Sequence, residues 1–321
     1  MGTKGMIIFC CILVITLSVG PSSATRSDTY TFIVITPAQF IEELTSLVSH
    51  KESHGITTRI VTLEDISIGT YFPATGRDAA EQIKYFIKNA KEHWGTAYVM
   101  LVGGKDIMPV RFTRTCFFDE NFSELYVYYA SDLYYADLYF SNGSFCNWDS
   151  NNDGLFADKN KTGCLDNVDL SPDVYVGRIL SNTESEVITV VDKIINYENN
   201  TAGQAWFNNL IVCGADDARS MVLETILPFL LGRIGFPVFE GEFLGNTAAK
   251  ILPGFSAKKI YGSGLFRPSV KGLTIANINN AINEGAGFLM FNGHGSPDYA
   301  ISTNFPFMKR VWLPLPHQYF S

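Results

Sequence analysis

Charge is scarce in this chain. Asp, Glu, Lys and Arg together make up 17% of its 321 residues, and the balance is −8. No run of Lys or Arg follows the first residues, so the basic stripe that a nucleic-acid partner requires is missing. Long apolar runs are scarce too. One spans Met6 to Val19, and no second follows that could hold the remaining chain in a bilayer. Repeats and low-complexity tracts are lacking. The six cysteines show no zinc-type spacing, no histidine clusters with them, and none lies beyond Cys213.

Hydrophobic residues, at 46%, and aromatic ones, at 13%, are plentiful. That content suits a compact extracellular globule with one large core or two modest ones, and it excludes disorder. The first residues are not part of the fold. Lys4 precedes the apolar run, Gly20-Pro21 breaks it, and Ser22-Ser23-Ala24 offers small residues for cleavage. Residues 1–24 therefore read as a secretory signal, with an uncleaved anchor as the weaker reading. The mature chain is expected to be secreted or at the cell surface, with no membrane span.

Cleavage removes Cys10 and Cys11. Cys116, Cys146 and Cys164 fall in a loop-rich region and are candidates for one disulfide, whereas Cys213 lies in the apolar run Leu210–Cys213 and reads as buried. Asn121, Asn142, Asn160 and Asn199 begin N-x-Ser/Thr sequons, which a host with the machinery can glycosylate.

Apolar strands alternate with helical patterns along most of the chain. Phe32–Ile35, Thr58–Val61 and Ala97–Val102 read as strands, with helices predicted near 40–47 and 78–92. From about 111 to 171 the composition turns to Tyr, Phe, Asn, Asp and Ser, predicting an extended or hairpin insertion. Strands resume at Val174–Val176, Asn209–Cys213, Pro237–Phe239 and Gly287–Phe291, with helices at 184–197, 218–231 and 275–283. Near-continuous apolar strands between helices predict a mostly parallel α/β sheet, flanked by helices, in two consecutive subdomains. The boundary is expected near Asn199-Asn200-Thr201. That gives an N-terminal unit over 25–200 and a catalytic unit over 201–321, incomplete at its end.

His294 carries the most chemistry. It follows the strand Gly287–Phe291 within Asn292-Gly293-His294-Gly295-Ser296, at the strand edge where α/β sheets place reactive groups. Gly293 and Gly295 allow a sharp turn, and the Gly295 N–H is a candidate oxyanion donor. A histidine that merely bonds the backbone of a glycine turn is the competing reading.

Several segments, in order, resemble the gingipain-type cysteine peptidases, a family of caspase-like fold. They are Tyr30–Pro37, Tyr98–Gly104 with Asp106, Ile107 and Pro109, Ser131–Tyr135, Pro172–Arg178, and Asn292–Ser296. The resemblance implies cleavage of a protein or peptide substrate, a cysteine nucleophile, His294 as its proton partner and Gly295 in the oxyanion hole. It also implies an acidic group that orients the histidine. Asp216 stands at that place, with Asp217 beside it; an exposed pair at a helix start is the alternative.

The family's nucleophile ends the strand after the histidine, and no cysteine follows His294 here. Cys213 is a poor substitute on its buried strand. The chain is thus expected to be a fragment or an inactive relative. A calcium-stabilised secreted binding module on an inactive peptidase scaffold is the alternative function.

Asp149, Asn151 and Asp153, followed by Gly154, match the first half of an oxygen-ligand calcium loop, and Asp158 adds a carboxylate. Structural calcium is expected there, as the resemblance also implies, against a solvated Asx-rich turn. Tyr134, Tyr135, Tyr139, Phe140 and Trp148 read as a local core beneath the insertion, rather than a groove lining.

Overall fold

The computed structural model describes residues 28–118, 123–160, 162–201, 203–215, 240–265, 269–296, 299–304 and 309–314. For Phe118 and Leu265, and for the strands from His294 onward, only the backbone is described. The expected helix at 218–231 and strand at Pro237–Phe239 lie outside these residues. The chain divides into two compact units. One takes the chain up to Ala38, Lys51–Leu101 and Met108–Arg178; the other takes Gln39–His50, Val102–Ile107 and the chain from Ile179.

In the first unit, β1 (Phe32–Thr36) pairs in parallel with β2 (Thr58–Thr62) on one side and β3 (Tyr98–Val102) on the other. α1 (Ile41–Ser53) lies between β1 and β2 in the chain, and its residues up to His50 belong to the second unit. β2 runs into α2 (Leu63–Ile68), started by a capping box in which Thr62 and Asp65 satisfy each other's backbone N–H. α3 (Ala79–Trp94) begins at Asp78, whose carboxylate accepts the Glu81 N–H, and stops at Gly95 in a left-handed conformation. Its apolar positions Ile83, Phe86, Ile87 and Ala90 share a core with Ile33, Ile35, Val99 and Leu101 of the sheet.

The insertion contains no long helix among the described residues. β4 (Phe112–Phe118) and β5 (Glu124–Ala130) form an antiparallel ribbon, α4 (Leu133–Ala136) is one turn, and β6 (Lys159–Asn160) and β7 (Gly163–Cys164) form a short hairpin. Tyr134, Tyr135 and Trp148 are fully buried beneath it, in edge-to-face contact around Tyr134. The expected local core is there. β8 (Tyr175–Ile179) then completes the sheet in the order β2-β1-β3-β8.

The second unit holds α5 (Glu184–Asn200), which the expected boundary near 200 assigned to the first. β9 (Asn209–Gly214) is followed, among the described residues, by α6 (Glu240–Ile251), β10 (Ser256–Tyr261), β11 (Lys271–Gly272), α7 (Ile275–Asn283) and β12 (Phe288–Asn292). The strands are all parallel, in the order β11-β10-β9-β12. One face (Ile211, Cys213, Ile260) packs on Ile278 and Ala281 of α7; the other (Leu210, Val212, Tyr261) meets Ala249 of α6. Helices on both faces explain why β9 reads as an unbroken apolar run. β13 (His294–Ser296), β14 (Tyr299–Asn304) and β15 (Lys309–Pro314) form a separate antiparallel sheet.

Candidate active site

The register of the second sheet sets Gly214, Tyr261 and Asn292 along one edge, where β9, β10 and β12 end. Three chain segments meet there at short range. The Gly241 N–H donates to the Ala215 carbonyl at 2.8 Å. Asn292 Nδ2 donates to the carbonyls of Cys213 (3.3 Å) and Gly241 (3.2 Å). Space explains the glycines: a Cβ on Gly214 would stand 2.8 Å from the Gly241 oxygen, and one on Gly241 would stand 2.5 Å from the Ala215 oxygen. The start of α6 is therefore pressed against the strand ends, and the Asn292 amide pins them together.

A second tie secures β10. Glu242, buried in the first turn of α6, accepts the Ser263 N–H at 2.7 Å and its hydroxyl at 2.8 Å. Neither Asn292 nor Glu242 was singled out by the sequence. Asn292 adjoins the Gly-His-Gly turn and was legible in principle; Glu242 reads as an ordinary acid at a helix start.

From this anchored edge the chain passes through Gly293 into β13. His294 lies opposite Ile301 and Gly295 opposite Ala300 in the antiparallel ladder with β14. The backbone at His294 therefore starts a hairpin directly beyond the C-terminal end of a parallel strand. Asp216 and Asp217 lie outside the described residues. β12 is the last strand in the sheet order; among the described residues no strand pairs its far side, and Phe288 is 57% and Leu289 39% exposed.

All four described cysteines are free, so the candidates Cys116, Cys146 and Cys164 form no disulfide with one another. Cys146 is buried, with Sγ 3.6 Å from Asp137 Oδ2, so it points inward to a carboxylate and not to another sulfur. Cys213 is fully buried, and desolvation pushes its thiol up to about 12, which suppresses the thiolate a nucleophile needs.

Of the residues expected to hold calcium, Asp149, Asn151 and Asp153 share hydrogen bonds within one loop, while Asp149 bonds to Arg77 and Asp158 to Arg114. Among the described residues, no three His, Cys, Asp or Glu side chains are grouped to hold a metal. Nor is any described helix long and apolar enough to cross a membrane.

Comparison with known proteins places the chain in a family. Gingipain R2 of Porphyromonas gingivalis (strain ATCC BAA-308 / W83) is 23% identical over 275 residues, covering 82% of this chain and 27% of its own length. The complex of Porphyromonas gingivalis RgpB pro- and mature domains matches at 21% identity with a TM-score of 0.48, over 83% of this chain and 48% of that one. A structure titled only as a protease matches at 15% identity and a TM-score of 0.46, over 84% of this chain and 46% of its own. The chain thus spans about a quarter of the curated relative and about half of each solved chain. The model of peptidase family C25 matches residues 25–310, and the chain belongs to that family.

Proposed function

We propose that this chain supplies the histidine-bearing part of a secreted cysteine endopeptidase. In this reading His294 is the general base, the Gly295 N–H stabilises the oxyanion, and Asp216 orients the imidazole. The observation that carries it is the placement of the His294 backbone at the pinned C-terminal edge of a parallel sheet. Such an edge gathers groups from several strand ends into one crevice, and that convergence is what proton transfer to and from a substrate requires.

The nucleophile of this reading is none of the cysteines seen here. Cys213 is buried below the edge with its thiol held neutral, and the resembled family's nucleophile follows the histidine in the chain, whereas Cys116, Cys146 and Cys164 precede it. Among the described residues no strand pairs the far side of β12, and in this reading a further parallel strand there, ending in the cysteine, would be a neighbour of the Asn292–His294 turn. The thiol would yield its proton to His294 and attack the scissile carbonyl. His294 would then protonate the leaving amine.

The test uses the full-length gene product with a peptide substrate under reducing conditions. His294→Ala should lower kcat by about 10²- to 10⁴-fold. Labelling with a peptidyl chloromethyl ketone, followed by mass mapping, should mark a cysteine other than Cys116, Cys146, Cys164 and Cys213. Thiol-dependent hydrolysis that survives His294→Ala would sink the assignment.

A further inference from the structure

The calcium-type motif in the insertion has folded, and what occupies its carboxylates is protein. The loop winds round its first acid: Asp149 Oδ1 accepts the Asp153 N–H at 3.0 Å, and Oδ2 accepts the Gly154 N–H at 3.2 Å. Asn151 Oδ1 accepts the same Asp153 N–H at 3.0 Å. Asp149 and Asp158 are both buried. Two buried carboxylates need positive charge close by, because removal from water is otherwise too costly.

Guanidinium groups supply that charge. Arg77 Nη1 donates to Asp149 Oδ2 at 2.5 Å. Arg114 grips Asp158 through both arms of its fork, Nε to Oδ1 at 2.7 Å and Nη2 to Oδ2 at 2.6 Å. Asp166, the next buried acid, spends Oδ1 on the Ser150 N–H and hydroxyl and Oδ2 on the Asp158 N–H. Calcium takes roughly six to eight oxygens at about 2.3–2.6 Å, whereas here Asp149 Oδ2 accepts both the Gly154 N–H and Arg77, and both Asp158 oxygens face the Arg114 fork.

Each guanidinium is itself held in place. Arg77 Nε donates to the buried Glu81 carboxylate, and the Arg114 guanidinium lies 4.7 Å from the centre of the Tyr126 ring. Phe156, inside the loop, has the Arg111 guanidinium 3.7 Å from its ring centre and that of Arg77 at 5.2 Å. Arg111 is in turn fixed by both oxygens of Asp78. The partners of Arg77 and Arg114 drive their protonation constants above the ordinary arginine value, so both stay cationic throughout the range in which a protein folds.

We infer that Arg77 and Arg114 take the place of a divalent cation in the 149–158 loop. Positive charge reaches Asp149 from Arg77, just before α3 and shared with the buried Glu81, and Asp158 from Arg114 on β4, and the loop closes without metal. This inference is independent of the peptidase reading and survives its failure.

The test is thermal unfolding of the full chain, followed by circular dichroism in millimolar calcium chloride and in EDTA. The two midpoints should coincide, and calorimetric titration with calcium chloride should show no saturable heat. Arg114→Gln should lower the midpoint by about 5 °C or more, because it leaves Asp158 buried without a counter-charge. Arg114→Lys, which keeps the charge but loses the fork, should lower it less. Should Arg114→Gln not fold, the lysine variant and the wild-type calcium comparison still decide. A wild-type midpoint that rises with calcium and falls in EDTA overturns the inference; so does an Arg114→Gln midpoint equal to wild type.

Discussion

Arg178 closes on Asp132 with two parallel bonds, Nε to Oδ2 at 2.7 Å and Nη2 to Oδ1 at 2.8 Å, while Nη1 and Nη2 also donate to the Met108 and Pro109 carbonyls. One guanidinium thus ties β8 to the turn after β3 and to the start of α4. Those three places are segments whose spelling resembles the C25 peptidases.

Arg178→Lys should therefore not be conservative. An ammonium cannot reproduce the fork and also reach both carbonyls. The expected loss is about 2–4 kcal/mol by urea unfolding, since the Arg178 side chain is almost wholly buried and its partners would be left unpaired. An unchanged midpoint would show that the joint contributes little.

Lys84 gives a pH prediction. It is fully buried, with Nζ donating to the Asp137 carbonyl at 2.7 Å and lying 4.3 Å from the centre of the Tyr134 ring. Burial lowers its ammonium pKa to about 7. Between that value and its ordinary one, the unfolded chain binds a proton that the native state lacks. Stability should rise as pH climbs through about 7 to 9, by at most about 1.4 kcal/mol per unit for one proton. In Lys84→Met that rise should vanish from denaturant midpoints measured across the same range. A wild-type slope of the opposite sign would refute the assignment.

The cysteines predict a labelling pattern. Cys164 is exposed, whereas Cys146 and Cys213 are buried with their thiols pushed up by desolvation. Iodoacetamide at about pH 8 should modify Cys164 in the native protein and leave Cys146 and Cys213 untouched until urea is added. Mass mapping without reductant should show no disulfide-linked peptides among Cys116, Cys146, Cys164 and Cys213.

How much of this was readable in advance depended on packing. β1, β3 and β9 announce themselves because both faces of a parallel sheet select Val, Ile, Leu and Phe, and β12 does so by its apolar letters although Phe288 and Leu289 are exposed. β10 did not. Its sequence, Ser256–Tyr261, carries Lys258 and Lys259, and it passes for a polar loop until Ile260 and Tyr261 are seen buried at its end. α6 was hidden by glycine. Gly241 and Gly245 are poor helix formers, yet Gly241 lets α6 approach β9, and Gly245 leaves room for the Tyr261 hydroxyl, which a Cβ would meet at 2.6 Å. The calcium-like motif shows the opposite limit. Its spacing is local, but the partners of its acids, Arg77 and Arg114, lie 72 and 44 residues away in the chain. At the candidate site, the glycines around His294 marked the turn. The amide that anchors it was visible as a letter and not as a contact.

Asn292 offers the sharpest test of that anchor. In Asn292→Leu the bulk is kept but both donations are lost, leaving the Cys213 and Gly241 carbonyls without the amide at a crowded junction. The expected cost is about 1–3 kcal/mol in global stability. Gly241→Ala attacks the same junction by volume, since its methyl group would press on the Ala215 oxygen and the Asn292 side chain. Because the two substitutions act on one contact set, their effects should fall short of adding in the double variant by at least about 0.5 kcal/mol. Hydrogen exchange should then locate the loss at the ends of β9 and β12, with β1 and β3 of the other unit unchanged. Strict additivity, or exchange raised evenly through both sheets, would mean that Asn292 does not pin the strand that leads to His294.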